Sequence, residues 1–424
     1  MVAAYTVVMM LVTWYCCRRT LEEEPAELIR PKAPEAGKKI FLEYFWFWPH
    51  ISFLNKVTIR NIVRYRQRLA MMLVGIGGCT ALLLTGFGLR DSIVNVVDFQ
   101  FENVTIYDMA VNFSEDQTQE QQDRFVKLTD DYIDNALFYN QVSVEVEYGN
   151  QVKEIYMMTA DSRIQEFVVL MNGEEKVAMP GNGEVLLTVG VAEAMGIKVG
   201  DQVIARNADM ERLELTVSGI YDNHVNNYAI IIPETIETQW ERTPEKQMAL
   251  LQVVQDCDVY EASTKISGLS DVQNVTINQD LADFVGSMMD ALDLVIWVIV
   301  VCAALLAVTV LYNLTNININ ERIREIATIK VLGFNASETA AYVFKENISL
   351  TVIGAGFGLS LGYLLLLFVM QQIKIDMVWF KAIVMTPSYV WSVVLTMLSA
   401  CIVNFVFYFK LEKINMAEAL KSVE

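Results

Sequence analysis

The chain is poor in the residue types that most enzymes place at their centres. Histidine occurs twice in 424 residues, at His50 and His224, which leaves almost no material for a histidine-based metal site or a nucleophile-histidine pair. The six cysteines, at positions 16, 17, 79, 257, 302 and 401, form neither a disulfide framework nor a zinc-type spacing, and all but Cys257 fall in or beside an apolar run. A phosphate-cradling nucleotide loop is also missing. The only Gly-Lys pair, Gly37-Lys38, lacks both the following hydroxyl and the upstream glycine, so this chain does not bind ATP by that means. Basic surface is scarce as well: residues 90–291 hold 12 Lys/Arg against 36 Asp/Glu, a net charge of −24, which disfavours nucleic acid as a partner.

What is present is apolar and acidic at once. The sequence is 54% hydrophobic yet carries a formal charge of −19, a pairing that requires the two kinds of residue to be segregated. Long apolar runs occupy 69–89, 294–312, 348–370 and 389–409, with a shorter one at 1–17. Arg18 and Arg19 follow the first run instead of preceding it, so it reads as a membrane helix with its N-terminus outside and not as a signal peptide. Eleven Lys/Arg in 18–68 place that stretch in the cytoplasm. The remaining segments then alternate: 90–291 outside, 313–347 inside, 371–388 outside and the tail inside.

The predicted fold class is an α-helical membrane protein, with four complete transmembrane helices plus an N-terminal partial or extra one, bearing an α+β extracytoplasmic domain. Residues 1–17 are expected to be a transmembrane helix and the tail of a preceding module, because Ala26-Glu-Leu-Ile-Arg30 echoes Ala417-Glu-Ala-Leu-Lys421 at the chain's end. Residues 18–55 read as a cytoplasmic linker and interfacial segment, and 56–90 as an amphipathic helix leading into a transmembrane helix. The outer domain, 91–291, shows strand patterns at 104–113, 142–147, 152–158, 249–254 and 272–277, and helix patterns at 117–135 and 259–267. Two β-α-β pieces are expected to close one mixed sheet, with a Gly-rich β subdomain inserted at about 180–235. No Pro and only one Gly, Gly286, interrupts the pattern from Asp280 into the apolar run at 294, which predicts one continuous helix. The last part, 292–424, carries three transmembrane helices and an inner loop at 313–347.

Two motifs need weighing. Gly358-Leu-Ser-Leu-Gly362 matches a hydrolase nucleophile string, but it lies inside an apolar run with no histidine partner. Gly354, Gly358 and Gly362 at four-residue spacing instead read as a helix-packing face. The inner loop places Ile319, Ile323, Ile326, Ile329 and Lys330 on one helical face, with Glu321, Arg324 and Glu325 off it. Gly333 ends this helix and Asn335-Ala-Ser-Glu338 caps the next.

The string Glu321-Arg-Ile-Arg-Glu-Ile-Ala-Thr-Ile-Lys-Val-Leu-Gly333, followed by the Gly-rich run 353–368, resembles the FtsX/MacB-like ABC transporter permease family, and Arg60–Tyr65 with 81–88 is similar to the start of such modules. Many members read Ala-Leu-Gly where this chain has Val331-Leu-Gly. The resemblance implies a four-span module whose inner loop is a coupling helix, with Glu321, Arg322, Arg324, Glu325, Ala327, Lys330, Leu332 and Gly333 meeting a separate ABC ATPase subunit. It implies that ATP and Mg are held by that partner and no cofactor by this chain, which is no enzyme itself. Further expected partners are a second permease module, the lipid bilayer and an extracytoplasmic protein or peptide. The implied function is transmission of ATP-driven motion to the outer domain, for export or extrusion of peptide, lipoprotein or drug-like substrates, at a bacterial cell membrane. The alternative is a membrane scaffold or receptor that regulates an extracytoplasmic partner such as a cell-wall hydrolase, without transport.

Overall fold

The computed structural model describes residues 2–21, 56, 60, 66–321, 323–373 and 378–412. The chain forms two units, residues 1–65 and 66–424. Within the first, α1 (Val2–Leu21) is one 20-residue helix that includes Arg18 and Arg19. The aromatic stretch 41–48, the linker and most of the basic stretch before Arg66 lie outside the described residues.

In the second unit, four helices are long and apolar enough to cross a membrane among the described residues: Leu69–Val104, Asn278–Glu321, Glu338–Gln372 and Thr386–Leu411. They belong to α2 (Arg66–Asp98, continued by a π-helix at Phe99–Val104), α7 (Asn278–Glu321), α9 (Ala336–Gln372) and α10 (Thr386–Glu412). At 1.5 Å per residue, the 44 residues of α7 extend about 66 Å, roughly twice the hydrocarbon core of a bilayer. The continuous helix predicted from Asp280 therefore starts two residues earlier and projects well beyond the membrane.

Between α2 and α7 the chain builds a nine-stranded sheet in the order β11-β1-β10-β2-β3-β9-β6-β8-β7. Its membrane-linked part is an antiparallel platform of β11 (Val272–Ile277), β1 (Met109–Phe113), β10 (Met248–Val253) and the first half of β2 (Ile133–Tyr148). Helices α3 (Gln119–Thr129) and α6 (Val259–Ser267) contribute Phe125, Ala262 and Ile266 to the core on one of its faces, where Phe113, Phe125 and Phe138 meet ring to ring. The platform is all antiparallel, where a mixed sheet was expected; parallel pairs occur only between β3 and β9 and between β6 and β8.

The rest of the sheet closes on itself. β3 (Gln151–Thr159), β9 (Tyr228–Ile231), β6 (Glu184–Thr188), β8 (Arg212–Tyr221) and β7 (Gln202–Arg206) run in order from the second half of β2, and β7 then pairs back onto β2 at 145–147. The result is a six-stranded barrel. Its filling follows the period of two: Val144 and Val146, Ile155 and Met157, Val185 and Leu187, Val203 and Ala205 all point inward. An Arg206–Glu147 ion pair fastens the closing strands.

Three expectations need correcting. The barrel begins within β2, not at about residue 180, because β2 exchanges its partner β10 for β3 after Tyr139. The helix predicted over 117–135 ends at Thr129, since Ile133 onward gains sheet partners that outweigh local helical preference. The first strand starts at Met109 because the π-helix continues α2 to Val104. The hairpin across Gly149-Asn150 is as predicted, with Gly149 at φ +60°, a left-handed turn conformation that glycine adopts without steric penalty.

Candidate functional site

The inner loop forms one short helix and a sharp turn. α8 (Ile323–Val331) follows α7 after Arg322, and ends in a paired hydrogen-bond closure: Phe334 N–H donates to Ile329 O at 3.4 Å and Gly333 N–H to Lys330 O at 3.1 Å. This 6→1 and 5→2 pattern needs a left-handed residue at its pivot, and Gly333 supplies it at φ +98°. Asn335 then starts α9, its N–H donating to Glu338 Oε2 at 3.0 Å.

The turn divides the predicted coupling residues into two sets. Ala327 and Lys330 are buried beside Ile326, and the Lys330 ammonium donates to Leu411 O at 2.6 Å near the end of α10. Glu321, Leu332 and Gly333 are exposed. Arg322 lies outside the described residues, as do the side chains of Arg324 and Glu325. Around Gly333 the surface is apolar: Val331, Leu332 and Phe334 are 59, 72 and 53% exposed. Sequence reasoning named Leu332 but missed Val331 and Phe334, although apolar residues flanking a turn glycine are themselves a signal, since a solvated turn has no use for them.

Above the turn a buried polar layer joins three helices. The Asn347 amide on α9 donates to Thr315 Oγ1 on α7 at 2.9 Å and to Asn404 Oδ1 on α10 at 3.2 Å. In an apolar bundle such groups must satisfy one another, so they fix how α7, α9 and α10 meet. α9 and α2 are joined differently, by close approach. A Cβ at Gly354, Gly358 or Gly362 would lie 2.9, 2.6 and 2.9 Å from Ile76 Cβ, Gly77 O and Ala81 O. Gly75 and Gly86 of α2 face Leu314 and Val300 of α7 in the same manner, whereas Gly78 faces open space.

At the far ends of these helices the connection to the α+β domain is stiff. β11 runs into α7 without an intervening loop, and Asn278 N–H donates to Asp108 O at 2.8 Å. Arg90 on α2 donates to Asp293 on α7 at 2.7 Å. The segment 378–385 between α9 and α10 also grips the domain. Trp379 N–H donates to His224 O at 2.9 Å, its indole donates to Glu193 Oε2 at 2.8 Å, and its ring meets His224 edge-on at 5.0 Å. His224 stacks on Phe99 of the π-helix at 4.4 Å, and Gln100 accepts the His224 N–H at 2.8 Å. The imidazole is buried with both ring nitrogens unpartnered, and that burial, with Lys381 nearby, lowers its pKa to about 4 despite Asp222.

Comparison with known proteins finds a family match for one part of the chain. Residues 297–414, from within α7 to two residues past α10, match the FtsX-like permease C-terminal family. No curated protein matches the chain. Among solved structures, the periplasmic region of MacB from Actinobacillus actinomycetemcomitans aligns at 9% identity, covering 45% of this chain and 97% of that one, with a TM-score of 0.30. The extracellular domain of the ABC-type transporter YknZ from Gram-positive bacteria aligns at 10% identity, covering 39% and 100%, with a TM-score of 0.27. A domain of a Porphyromonas gingivalis permease protein aligns at 14% identity, covering 38% and 79%, with a TM-score of 0.23.

Proposed function

We propose that this protein is the membrane permease subunit of an ABC transporter complex, in which motion imposed by a separate ATPase at the inner turn reaches an extracytoplasmic domain. The observation that carries this reading is α7, a single helix of 44 residues that starts at the last strand of the platform and ends at the inner turn. Its backbone hydrogen bonds run unbroken from the platform to the inner turn, so in this reading displacement at one end reaches the other. α2 runs beside it into the π-helix under the same platform.

The exposed apex of Val331, Leu332 and Phe334, with Glu321 and the charged residues following it, is the docking surface in this reading. Ala327 and Lys330 act behind it, by holding α8 onto the bundle. ATP and Mg belong to the partner ATPase, and the cargo is a peptide, lipoprotein or drug-like molecule engaged by the outer domain at a bacterial cell membrane. Co-purification with the neighbouring ATPase tests the docking. Leu332→Glu, or Glu321→Lys with Arg324→Glu, is expected to abolish the complex while the variants remain folded; unchanged capture would remove the assignment. Crosslinking from an exposed outer residue such as Tyr260, with and without ATP, then reports whether the domain's contacts change with the motor.

A further inference from the structure

Where the barrel meets the platform, the domain contains a half-open cavity of about 60 Å³. Tyr107, Tyr139, Tyr221, Tyr228, Gln141 and Asn226 bring polar groups to it, Met158, Ile230 and Leu250 bring apolar surface, and Phe101 and Leu281 close it from the helix side. No carboxylate, ammonium or guanidinium lines it. At 10–15 Å³ per water-sized site, the volume corresponds to about four to six small groups. That is too little for an aromatic ring, since a cavity that admits benzene measures about 150 Å³.

The polar groups are not spent on one another. The Tyr107 and Tyr221 hydroxyls make no hydrogen bond among the described residues, and Tyr221 is 1% exposed. Tyr139 reaches Gln141 Oε1 only at 3.5 Å, the outer limit of a hydrogen bond, and Asn226 reaches the Tyr228 hydroxyl at 3.4 Å. Burial raises the pKa of all four tyrosines, so each hydroxyl keeps its proton and remains a neutral donor. An ion entering here would lose its hydration without meeting a countercharge. A carbonyl oxygen has two lone pairs for two hydroxyl donors, an amide N–H suits the oxygen of a side-chain carboxamide, and flanking methyl groups suit the methionine and aliphatic wall.

We propose that this cavity is a binding site for an uncharged secondary amide, the group repeated along a peptide backbone. It takes the carbonyl on the tyrosine hydroxyls and the N–H on Gln141 or Asn226.

The test uses the full chain in lipid nanodiscs without any ATPase, so that its outcome is independent of the docking reading. Tyrosine is replaced throughout by 3-fluorotyrosine, and the Tyr221 and Tyr139 fluorine resonances are identified by their loss in Tyr221→Phe and Tyr139→Phe. N-methylacetamide is expected to shift both resonances saturably, with glycerol and tetramethylammonium producing no saturable shift. Tyr221→Phe, which keeps the ring and deletes the donor, is expected to weaken N-methylacetamide about five-fold, the effect of one neutral hydrogen bond. Tyr107→Phe serves the same purpose if that variant does not fold. A shift that never saturates would mean that the cavity holds water only and would overturn the proposal. Binding of glycerol or tetramethylammonium as tight as that of the amide would overturn it equally.

Discussion

Gly358 lies so close to Gly77 that a Cβ built on it would sit 2.6 Å from the Gly77 carbonyl oxygen. The obstacle is backbone, which has no side-chain torsion to relieve it. Gly358→Ala is therefore expected to force α2 and α9 apart and to cost on the order of 1–3 kcal/mol, as overpacking does. Gly356, two residues earlier, faces open space, so Gly356→Ala is the matched control. It should be neutral or gain up to about 1 kcal/mol from helix propensity. Thermal denaturation of both variants in the same detergent checks the difference.

A second prediction separates the two sets of inner-turn residues. Lys330 places its ammonium on Leu411 O from a buried position, and Leu332 projects into solvent. Lys330→Met is expected to loosen the contact between α8 and the end of α10 and to lower thermal stability by about 1–3 kcal/mol, because the carbonyl loses a charged donor. Leu332→Glu should change stability by less than about 0.5 kcal/mol, as surface substitutions do. Melting curves of the isolated protein show whether the two differ in this way.

His224 gives the junction between segment 378–385 and the domain a pH dependence. Its pKa of about 4 in the folded state lies below the ordinary value of 6.5, so an opened junction binds the proton more readily than the closed one. The contribution is complete above about pH 6.5 and declines as pH falls toward 4, by up to about 3 kcal/mol. Hydrogen exchange of the Trp379 amide, which is bonded to His224 O, is the direct readout. After correction for intrinsic exchange, its protection should fall across this window in the native protein and stay level in His224→Phe.

The Arg90–Asp293 pair is expected to matter little for stability despite its 2.7 Å contact. Its side chains are 40 and 26% exposed, so water screens the attraction. A double-mutant cycle with Arg90→Ala and Asp293→Ala should return a coupling below about 1 kcal/mol that shrinks further in high salt.

Much of this architecture is legible from periodic patterns, and what is not legible lacks a period. The apolar runs, the alternating strands of the barrel, the Gly149-Asn150 hairpin and the glycine that ends α8 each leave a local mark in the sequence. The grip of Trp379 on His224 and Glu193 joins positions more than 150 residues apart, through single side chains with no repeat to reveal them. Lys330 is half legible. Its spacing puts it on the face of Ile323, Ile326 and Ile329, but the partner that lets a lysine sit there, the carbonyl of Leu411, is brought back by α10 and leaves no local mark. The switch of partners in β2 leaves only a change of phase, from buried residues at odd positions up to Tyr139 to buried Val144 and Val146 at even ones.

That shared strand sets an order on synthesis. β10 lies between β1 and β2, yet it leaves the ribosome after the whole barrel has been made. Until residue 253 is available, β1 and the first half of β2 are separate strands waiting for the one that unites them. A chain halted in that interval carries a complete barrel on an unpaired ribbon, with open edges that invite association with other nascent chains.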